Sequence, residues 1–525
     1  MALHMVDDPQ DQNDQDYNDN SGGGGGSNTG GGGGGLLSFI PLLLSLFGGG
    51  GKGKGLLLLV VIAAAAYFFL GRGSCNSATA INSLFSQSGY SYSPEEFKKA
   101  SVYEGLEDNN AKNPLPERVS LAAFAPQRRN QGKQGSCVAW SSAYAARTIL
   151  QSASSNTNPD QTAYSPAFLY NNIALDDCQG SYIQRAMEFM QKNGAVSYQS
   201  FPYDENNCSR QASNSLAQEA QSGKIHGFTR LTESDDVNGL NIRAIKEHLA
   251  KDAPVVIGMM VGGTFMQEMM GQKVWHPTAE DRQQMGFGGH AMCVIGYDDR
   301  LEGGAFEIMN SWGPEWGQNG IGFVRYADFK EFTREAYGID PLPKQGAALN
   351  IPFEAQVGLV NNDTKQYIAL KPAGGNVYRT AAPIKKGTRF KMEINNKSEC
   401  YIYIFTPDVN GKSFTLFPYK PIHSAYCGIT GYRLFPRSES IMADSIGNKE
   451  VMAIVVSKQA LDYAGINNSI NQSTQSSYAA KVNEVFNGKT LSTAVFSAGQ
   501  NSGVKFSAPA TNSGIITSIV EIDKQ

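Results

Sequence analysis

The sequence has few of the residues that bind metals, nucleotides or nucleic acids. Its 525 residues include only six histidines and seven cysteines, and no two cysteines form a C-x-x-C pair, so we predict no metal site. Its glycine runs lack the strand and the Lys-Ser/Thr pair of a phosphate-binding loop. The formal net charge is only −4, and no dense stripe of lysine and arginine with interleaved aromatics suggests a nucleic-acid partner. We therefore expect no cofactor and no nucleic acid.

The first 55 residues have too few apolar side chains, spread too thinly, to form a hydrophobic core. Residues 7–20 contain six aspartates, and long glycine runs follow them. This composition is typical of a disordered, solvated tail, which we assign to residues 1–55. One short apolar stretch, residues 36–47, interrupts the tail and contains Pro41. It is too short to span a bilayer, so it either lies at a membrane interface or has no function beyond local packing.

A second apolar run begins at Leu56 and ends at Leu70, and it has fifteen uncharged residues. This is just under the ~17 to 25 residues of a spanning helix, and no neighbouring domain could bury it, so we predict a transmembrane helix over residues 56–71. Lys52 and Lys54 precede the run while only Arg72 follows closely. By the positive-inside rule the amino terminus is cytoplasmic. We expect a single-pass cell-membrane protein whose remaining chain, after a linker over residues 72–113, is periplasmic or extracellular.

Cys137 has the sequence context of a reactive thiol. Gly135 and Ser136 suit a turn and a helix start, and the alanine-rich residues 138–150 contain no glycine or proline. A cysteine at that position lies at the positive end of a helix dipole, which favours thiolate.

Two distant segments supply the other groups that a thiol nucleophile needs. His290 lies in Gly-Gly-His-Ala-Met and can act as general base and then as general acid. Asn310 lies in Met-Asn-Ser-Trp-Gly, and its amide oxygen can orient the imidazole without adding charge. Gln131, six residues before Cys137, can donate its amide to a developing oxyanion. Together these residues indicate an acyl-transfer site.

The segments around these residues resemble the papain-like cysteine peptidase family, and we interpret the chain as a bacterial member of it. The resemblance also includes Pro-Leu-Pro-Glu-Arg-Val-Ser-Leu from Pro114, Tyr-Ser-Pro-Ala-Phe-Leu-Tyr from Tyr164, and Asn-Ser-Trp-Gly-Pro-Glu-Trp-Gly from Asn310. It covers about residues 114–340. It implies that Cys137 is the nucleophile, that His290 is the base and that Gln131 is the oxyanion donor.

The resemblance also implies positions for the substrate cleft. Gly180 and Ser181 would line it, Gly289 and Ala291 would flank an apolar pocket, and Trp312 would shield the Asn-His pair from water. A disulfide between Cys178 and Cys208 is implied in the same way, whereas a second one between Cys400 and Cys427 is only conceivable. The region before Pro114 is too short for the family's usual inhibitory propeptide, so we expect no zymogen control of that kind.

The pattern along the chain predicts an α+β fold class. Helical periodicity dominates up to about Cys208, and strand-like runs follow Pro254. We expect a two-lobe, papain-like peptidase domain over residues 114–345, with a helical lobe, a β-barrel-like lobe and the cleft between them.

Residues 351–525 are predicted to form a separate, β-sandwich-like domain. The Asn-Gly pair at Asn410 is a hairpin signal, and His423 is interpreted as structural. Residues 388–456 resemble an uncharacterised domain family of bacterial surface proteins and enzymes. We expect this domain to bind a protein or a cell-surface partner.

Two functions from different classes fit these observations. The first is a membrane-anchored cysteine endopeptidase that hydrolyses peptide bonds of proteins or peptides through a thioester. The alternative is a non-catalytic surface protein that uses a papain-like fold to bind peptides or proteins.

Overall fold

The computed structural model describes residues 3–8, 89–233, 239–344, 352–419, 422–437, 439–509 and 514–525. The apolar segment at residues 36–47 and the transmembrane helix predicted at residues 56–71 lie outside these ranges. Among the described residues, none of the helices combines the length and the apolar character that crossing a bilayer requires.

Residues 89–344 contain helices on one side and a twisted sheet on the other. The helices are Pro94–Lys99, Cys137–Ala139, Thr148–Ser155, Pro166–Ile173, Ile183–Lys192, Asn214–Ala220, Ile242–Leu249, Gly263–Gln267, Ala279–Arg282 and Tyr326–Phe332. A π-helical stretch, Trp140–Arg147, joins the second helix to the third. This stretch is rich in alanine and serine and is completely buried, so the helix that carries Cys137 passes through the core of its lobe.

The first described strand, β1 (His4–Asp7), belongs to the C-terminal domain, and the next eight described strands form the sheet of residues 89–344, which we call the first sheet. These are β2 (Arg118–Ser120), β3 (Phe228–Arg230), β4 (Val255–Val261), β5 (Val274–Trp275), β6 (Gly288–Asp298), β7 (Ala305–Met309), β8 (Ile321–Arg325) and β9 (Thr333–Ile339). Their order is β3-β9-β4-β6-β7-β8-β5, with β2 paired to β6. The central strands β4, β6 and β7 are apolar and buried along almost their whole length, which is why they lie in the middle of the sheet. The predicted α+β content is confirmed.

Residues 352–525 form two sheets around a common core. Their strands are β10 (Phe353–Asn361), β11 (Tyr367–Ile368), β12 (Leu370–Gly374), β13 (Val377–Thr380), β14 (Arg389–Asn396), β15 (Cys400–Pro407), β16 (Ser413–Phe417), β17 (Tyr426–Cys427), β18 (Gly431–Phe435), β19 (Glu439–Met442), β20 (Lys449–Ser457), β21 (Val495–Ala498), β22 (Val504–Ala508) and β23 (Ile515–Asp523). One sheet has the order β1-β19-β14-β10-β22-β21, and the other has β12-β13-β23-β20-β15-β16. Alternate residues of both sheets fill one apolar core, as in a sandwich. Two helices, Tyr463–Gln472 and Tyr478–Val485, cover the outer face of the second sheet.

Strand β1 corrects the expectation that all of residues 1–55 form a disordered tail. It pairs antiparallel with β19, Leu3 is buried in the sandwich core, and Asp8 forms an ion pair with Lys391 at 2.6 Å. The apolar alternation in β1 covers only a few residues. The composition of the surrounding sequence, rich in aspartate and glycine, therefore does not predict a strand there. Because β1 and β19 share a sheet, both lie on one side of any membrane.

Residues 89–107, which we call the bridging segment, correct the expectation of a plain linker over residues 72–113. The helix Pro94–Lys99 is capped by the Ser93 hydroxyl and buries Phe97. After it, Val102 bridges to Arg230 of β3 on one side and to His423 of the C-terminal domain on the other. The segment therefore extends the edge of the first sheet, at β3, and joins it to the β-sandwich. Both parts belong to the same compact unit, so the C-terminal domain is docked rather than separate.

Candidate active site

Cys137 is the first residue of a helix that runs into the core. Its side chain is completely buried, and its Sγ accepts a hydrogen bond from the backbone N–H of Ala291 at 3.3 Å. Burial raises the pKa of the thiol to about 12, although the N–H groups of Ala291 and Val138 oppose that shift. In this arrangement Cys137 is a protonated thiol at the N-terminus of a helix, and it needs both solvent access and a base to react.

His290 lies on β6, directly before the residue that contacts the thiol. Its Nε2 donates to Oδ1 of Asn310 at 2.8 Å, which fixes the tautomer and makes Nδ1 the nitrogen that can exchange a proton. The ring of Trp312 stacks on the imidazole with 4.3 Å between centroids. The structure thus brings together His290, Asn310 and Trp312 as the sequence predicts, with Cys137 beside them through Ala291.

Gln131 lies beneath the turn that leads to Cys137 and is completely buried. Its Nε2 donates to the Gln134 carbonyl at 2.9 Å, and its Oε1 accepts from the Ser311 hydroxyl at 2.6 Å. Its backbone N–H also donates to the Ser311 carbonyl at 2.8 Å. Gln131 therefore ties the turn that carries the nucleophile to the segment that carries Asn310.

The predicted cleft residues contact the chain itself. Ser181 donates its N–H to the carbonyl of Gly89 at 2.9 Å and accepts from the N–H of Ser91 at 3.0 Å. Tyr90 donates its N–H to the carbonyl of Gly289 at 3.3 Å. Residues 89–91 therefore pair with both walls of the predicted cleft through backbone hydrogen bonds.

The fit at Gly89 is tight enough to explain why the thiol has no exposed surface. Gly89 has φ +70°, and a Cβ added there would lie 2.2 Å from the carbonyl oxygen of Gly135, two residues before Cys137. A Cβ on Gly180 would lie 2.4 Å from the Gly89 carbonyl oxygen. The bridging segment thus passes between the turn before Cys137 and Gly180. Residues 89–91 therefore occupy the part of the predicted cleft next to Cys137, and the expectation that the chain has no inhibitory propeptide of the family's usual kind stays a prediction.

The other end of the cleft is open. A cavity of about 380 Å³ lies beside Trp312. Its lining also includes Asn130, Gly132, Lys133, Met266, Met270, Glu315 and Trp316. Met270 is largely exposed there, so one half of the cleft can receive a ligand in this structure and the other cannot.

Of the two disulfides considered from the sequence, the structure contains one. Cys178 and Cys208 form the disulfide that the resemblance implies. Cys400 and Cys427 are register partners on β15 and β17, but both are free thiols in the structure. Cys293 is a free thiol buried within β6.

Comparison with known proteins identifies the central part of the chain. Residues 117–340 match the family described as "Papain family cysteine protease". The chain is 28% identical over 215 residues to a cathepsin B-like protein, CP2, of Giardia intestinalis, covering 40% of this chain and 68% of that protein. It is 26% identical over 200 residues to cathepsin K of Mus musculus, covering 37% and 55%.

Solved structures of cysteine proteases also align with the chain. Xylellain from Xylella fastidiosa aligns with a TM-score of 0.40 and 22% identity, over 49% of this chain and 97% of that one. A procathepsin L 3 from the larval midgut of Tenebrio molitor aligns with a TM-score of 0.38 and 16% identity, over 54% and 88%.

Proposed function

We propose that residues 117–340, which match the papain family of cysteine proteases, form a peptidase domain that hydrolyses proteins or peptides, and that Cys137, His290 and Asn310 perform the hydrolysis. The main support for this proposal is the hydrogen bond from His290 to Asn310. His290 lies on β6, and the next residue of that strand, Ala291, donates its N–H to the Cys137 sulfur. No other described cysteine has a histidine and an amide placed in this way.

The proposed reaction begins when His290 takes the thiol proton and the sulfur attacks the substrate carbonyl carbon. The negative charge on the carbonyl oxygen is stabilised by the N–H of Cys137, at the helix N-terminus, and by the Gln131 amide after it leaves the Gln134 carbonyl. His290 then returns the proton to the leaving amine as the C–N bond breaks. His290 next takes a proton from a water molecule, whose oxygen attacks the thioester carbonyl carbon. The C–S bond then breaks, which releases the carboxylic acid product, and the proton returns to the Cys137 sulfur.

We further propose that this structure represents the latent form of an endopeptidase. Residues 89–91 use the cleft groups Ser181 and Gly289 that a substrate would need, and Cys137 has no solvent access. Movement of these residues out of the cleft is then the activating step. An endopeptidase mode agrees with a cleft whose second half, beside Trp312, stays open.

The C-terminal domain is proposed to hold the bridging segment. Val102 donates its N–H to the Ile422 carbonyl at 2.6 Å, and its carbonyl accepts from the N–H of Ser424 at 3.0 Å. The buried carboxylate of Glu104 accepts from the Tyr419 hydroxyl at 2.9 Å and pairs with His423 at 3.2 Å. A protein or cell-surface partner that binds this domain could thereby act on the latent cleft.

Attachment to a bacterial membrane through residues 36–47 and 56–70 is also part of this proposal, with the peptidase on the outer side. The pairing of β1 with β19 requires an even number of crossings. Labelling of single cysteines placed at residue 5 and at residue 525 in intact cells tests this, because both must react with an impermeant reagent or neither must.

A non-catalytic binding protein is the second candidate, favoured by the complete burial of Cys137. Hydrolysis of casein by the full chain, compared with its His290→Ala variant, separates the two. Hydrolysis that depends on His290 supports the peptidase. Two results support the binding protein. One is equal hydrolysis by both chains, and the other is no hydrolysis even after residues 89–91 have been displaced from the cleft.

A further inference from the structure

A second cavity lies between residues 89–344 and the C-terminal domain. It has a volume of about 380 Å³, within the range of cavities that bind small molecules. Its lining comes from within residues 106–116 and 247–251 on one side and from residues 395–397 and 430–432 on the other. It shares no lining residue with the cavity beside Trp312, and we call it the interdomain cavity.

One wall of the interdomain cavity is residues 114–116, Pro-Leu-Pro. Proline has no N–H group, and the carbonyls at the two ends of this wall already have donors. The Pro116 carbonyl accepts from the Tyr297 hydroxyl at 2.7 Å, and the Asn113 carbonyl accepts from Nη2 of Arg243 at 3.1 Å. This wall therefore offers a ligand a surface of carbon atoms with few free hydrogen-bonding groups.

A second wall is formed by β14 and β18, where Asn395 and Tyr432 are register partners. The Tyr432 backbone is held on both sides by Asn113, since its N–H donates to Oδ1 and its carbonyl accepts from Nδ2, each at 2.9 Å. Asn395 is 4% exposed, and its Oδ1 has no hydrogen-bond partner among the described residues. A buried acceptor without a partner is unfavourable, so a ligand that brings a donor to Asn395 would be stabilised.

Two lysines give the interdomain cavity positive charge. Lys251 follows the helix Ile242–Leu249 and Lys397 follows β14, and both are exposed at the cavity. Neither ammonium group has a carboxylate partner in the part of the chain that the structure describes. An anionic group of a ligand can therefore pair with them without displacing an existing ion pair.

The other charged groups of the lining are already paired. Lys112 forms ion pairs with Glu107 at 2.9 Å and with Glu393. Glu247 is 2% exposed, and it pairs with Arg243 at 3.2 Å. The charge that remains for a ligand is therefore positive.

We propose that the interdomain cavity binds an acidic sugar, a hexuronate unit of a saccharide. Its carboxylate pairs with Lys251 and Lys397, a hydroxyl donates to Oδ1 of Asn395, and a carbon face of the ring packs on residues 114–116. A neutral sugar makes the last two contacts but leaves both ammonium groups without a partner. Inorganic phosphate has the charge but no carbon surface for the apolar wall.

The same wall argues against an acidic peptide. Every peptide unit brings an N–H and a carbonyl that need partners when they leave water, and residues 114–116 have few free groups to pair with them. The C–H face of a sugar ring needs no such partners. A ring that carries hydroxyls on its edge and one carboxylate therefore fits the lining better than an extended backbone does.

The test is isothermal titration calorimetry of the full chain with digalacturonate, compared with cellobiose as a neutral disaccharide. We expect a Kd of about 1 mM or lower for digalacturonate and at least about tenfold weaker binding of cellobiose. Lys397→Met and Asn395→Leu should each raise the Kd about tenfold, the effect of losing a hydrogen bond to a charged group or to a buried acceptor. Lys385→Met, at an exposed lysine of the same domain outside the cavity lining, is the control and should change the Kd less than about twofold.

Several results would overturn the acidic-sugar assignment. These are no binding of digalacturonate, equally tight binding of cellobiose, inorganic phosphate or a dipeptide of two glutamates, and a loss of binding in Lys397→Met no larger than in Lys385→Met. Lys397 is exposed, so its variant should fold and decide the question even if Asn395→Leu does not fold. The proposed peptidase function is unaffected in every case, because the interdomain cavity contains none of the residues assigned to catalysis.

Discussion

The two ends of the bridging segment are held very differently. Its front, residues 89–91, is fixed in the cleft by the two backbone bonds to Ser181, the one to Gly289 and the ring of Tyr90. Its back, residues 101–107, is bonded on one side to Arg230 and on the other to Ile422 and Ser424 of the C-terminal domain. The front contacts the peptidase domain alone, whereas the back is shared by both domains.

The two ends differ even more in how their polar side chains are buried. Glu104 is 2% exposed and pairs with Tyr419 and His423, while its carbonyl accepts from Nε of the buried Arg433 at 3.0 Å. A backbone hydrogen bond contributes about 1 kcal/mol net, but leaving a buried hydrogen-bonding group without its partner costs about 1 to 3 kcal/mol. The front should therefore leave its site while the back stays docked, so that activation is a local opening and not a separation of domains.

The front can control activity only if it covers a nucleophile. Removing that nucleophile should therefore have the largest effect on the rate of hydrolysis. Cys137→Ala should reduce hydrolysis by at least about a thousandfold, because no other group can form the thioester. Cys293→Ala is the matched control, since Cys293 is an equally buried free thiol of the same domain, and it should leave the rate within about twofold. Comparable losses in both variants would show that the loss of a buried thiol, not the chemistry of Cys137, reduces the rate.

Displacing the front should raise activity. In Gly89→Ala the added methyl group meets the Gly135 carbonyl oxygen and a φ of +70°, so residues 89–91 cannot keep their place. Initial rates on casein should increase at least about tenfold, which corresponds to about 1.4 kcal/mol of closed-state stability. Gly105→Ala changes the same segment at its back, where the nearest atom is an Arg437 side-chain nitrogen at 3.4 Å, and it should not activate. Activation by both variants, or by neither, would remove the distinction between the two ends.

Weakening the back should affect stability more than activity. Glu104→Gln keeps the size but removes the charge that faces His423, and we expect the free energy of unfolding to fall by about 1 to 3 kcal/mol in urea titrations. The exposed Glu95→Gln, in the helix between the two ends, should change it by less than about 0.5 kcal/mol. If Glu104→Gln activates as strongly as Gly89→Ala without loss of stability, the back is the weaker end and the account is reversed.

The smallest predicted effect is a pH dependence of the closed front. Glu335 of β9 is buried beside Tyr90 of the front, and burial raises the pKa of Glu335 to about 7. The protonated carboxyl is therefore favoured in the closed form, and that stabilisation is present below its ordinary pKa and is lost as pH rises through about 7. The melting temperature of the wild type should therefore fall by a few degrees more than that of Glu335→Gln between about pH 5 and about pH 8. Parallel curves for the two proteins would show that Glu335 does not titrate in this range.

Much of the site could be predicted from the sequence because its chemistry depends on residue types in short, distinctive segments. The segments around Cys137, His290 and Asn310 each carry local signals, and the structure brings the last two into direct contact. Glu335 has no such signal. It lies beside Tyr90 only because β9 pairs with the distant strand β4, where Gly258 is its register partner, and register between distant strands is not encoded locally.

In the fold, too, some elements have a local sequence signal and others have none. The strong apolar runs of β4 and β6 predict buried strands, and the Asn-Gly pair at Asn410, which precedes the apolar residues 414–417, is a hairpin signal. Strand β1 and the bridging segment escaped prediction for the opposite reason. Strand β1 and the front of the bridging segment are each only a few residues long, and each is held by a partner far away in the chain, Ile441 for Met5 and Gly289 for Tyr90.

We propose that Cys137 is a catalytic thiol that the front of the bridging segment keeps latent. The rate at which an epoxide affinity probe labels Cys137, with the modified residue located by mass spectrometry, tests this most directly. We predict slow labelling in the full wild-type chain, labelling at least about tenfold faster in Gly89→Ala, and a return to slow labelling when His290→Ala is added. Equal labelling of Cys137 in the wild type and in Gly89→Ala, or fast labelling that does not need His290, would contradict the account.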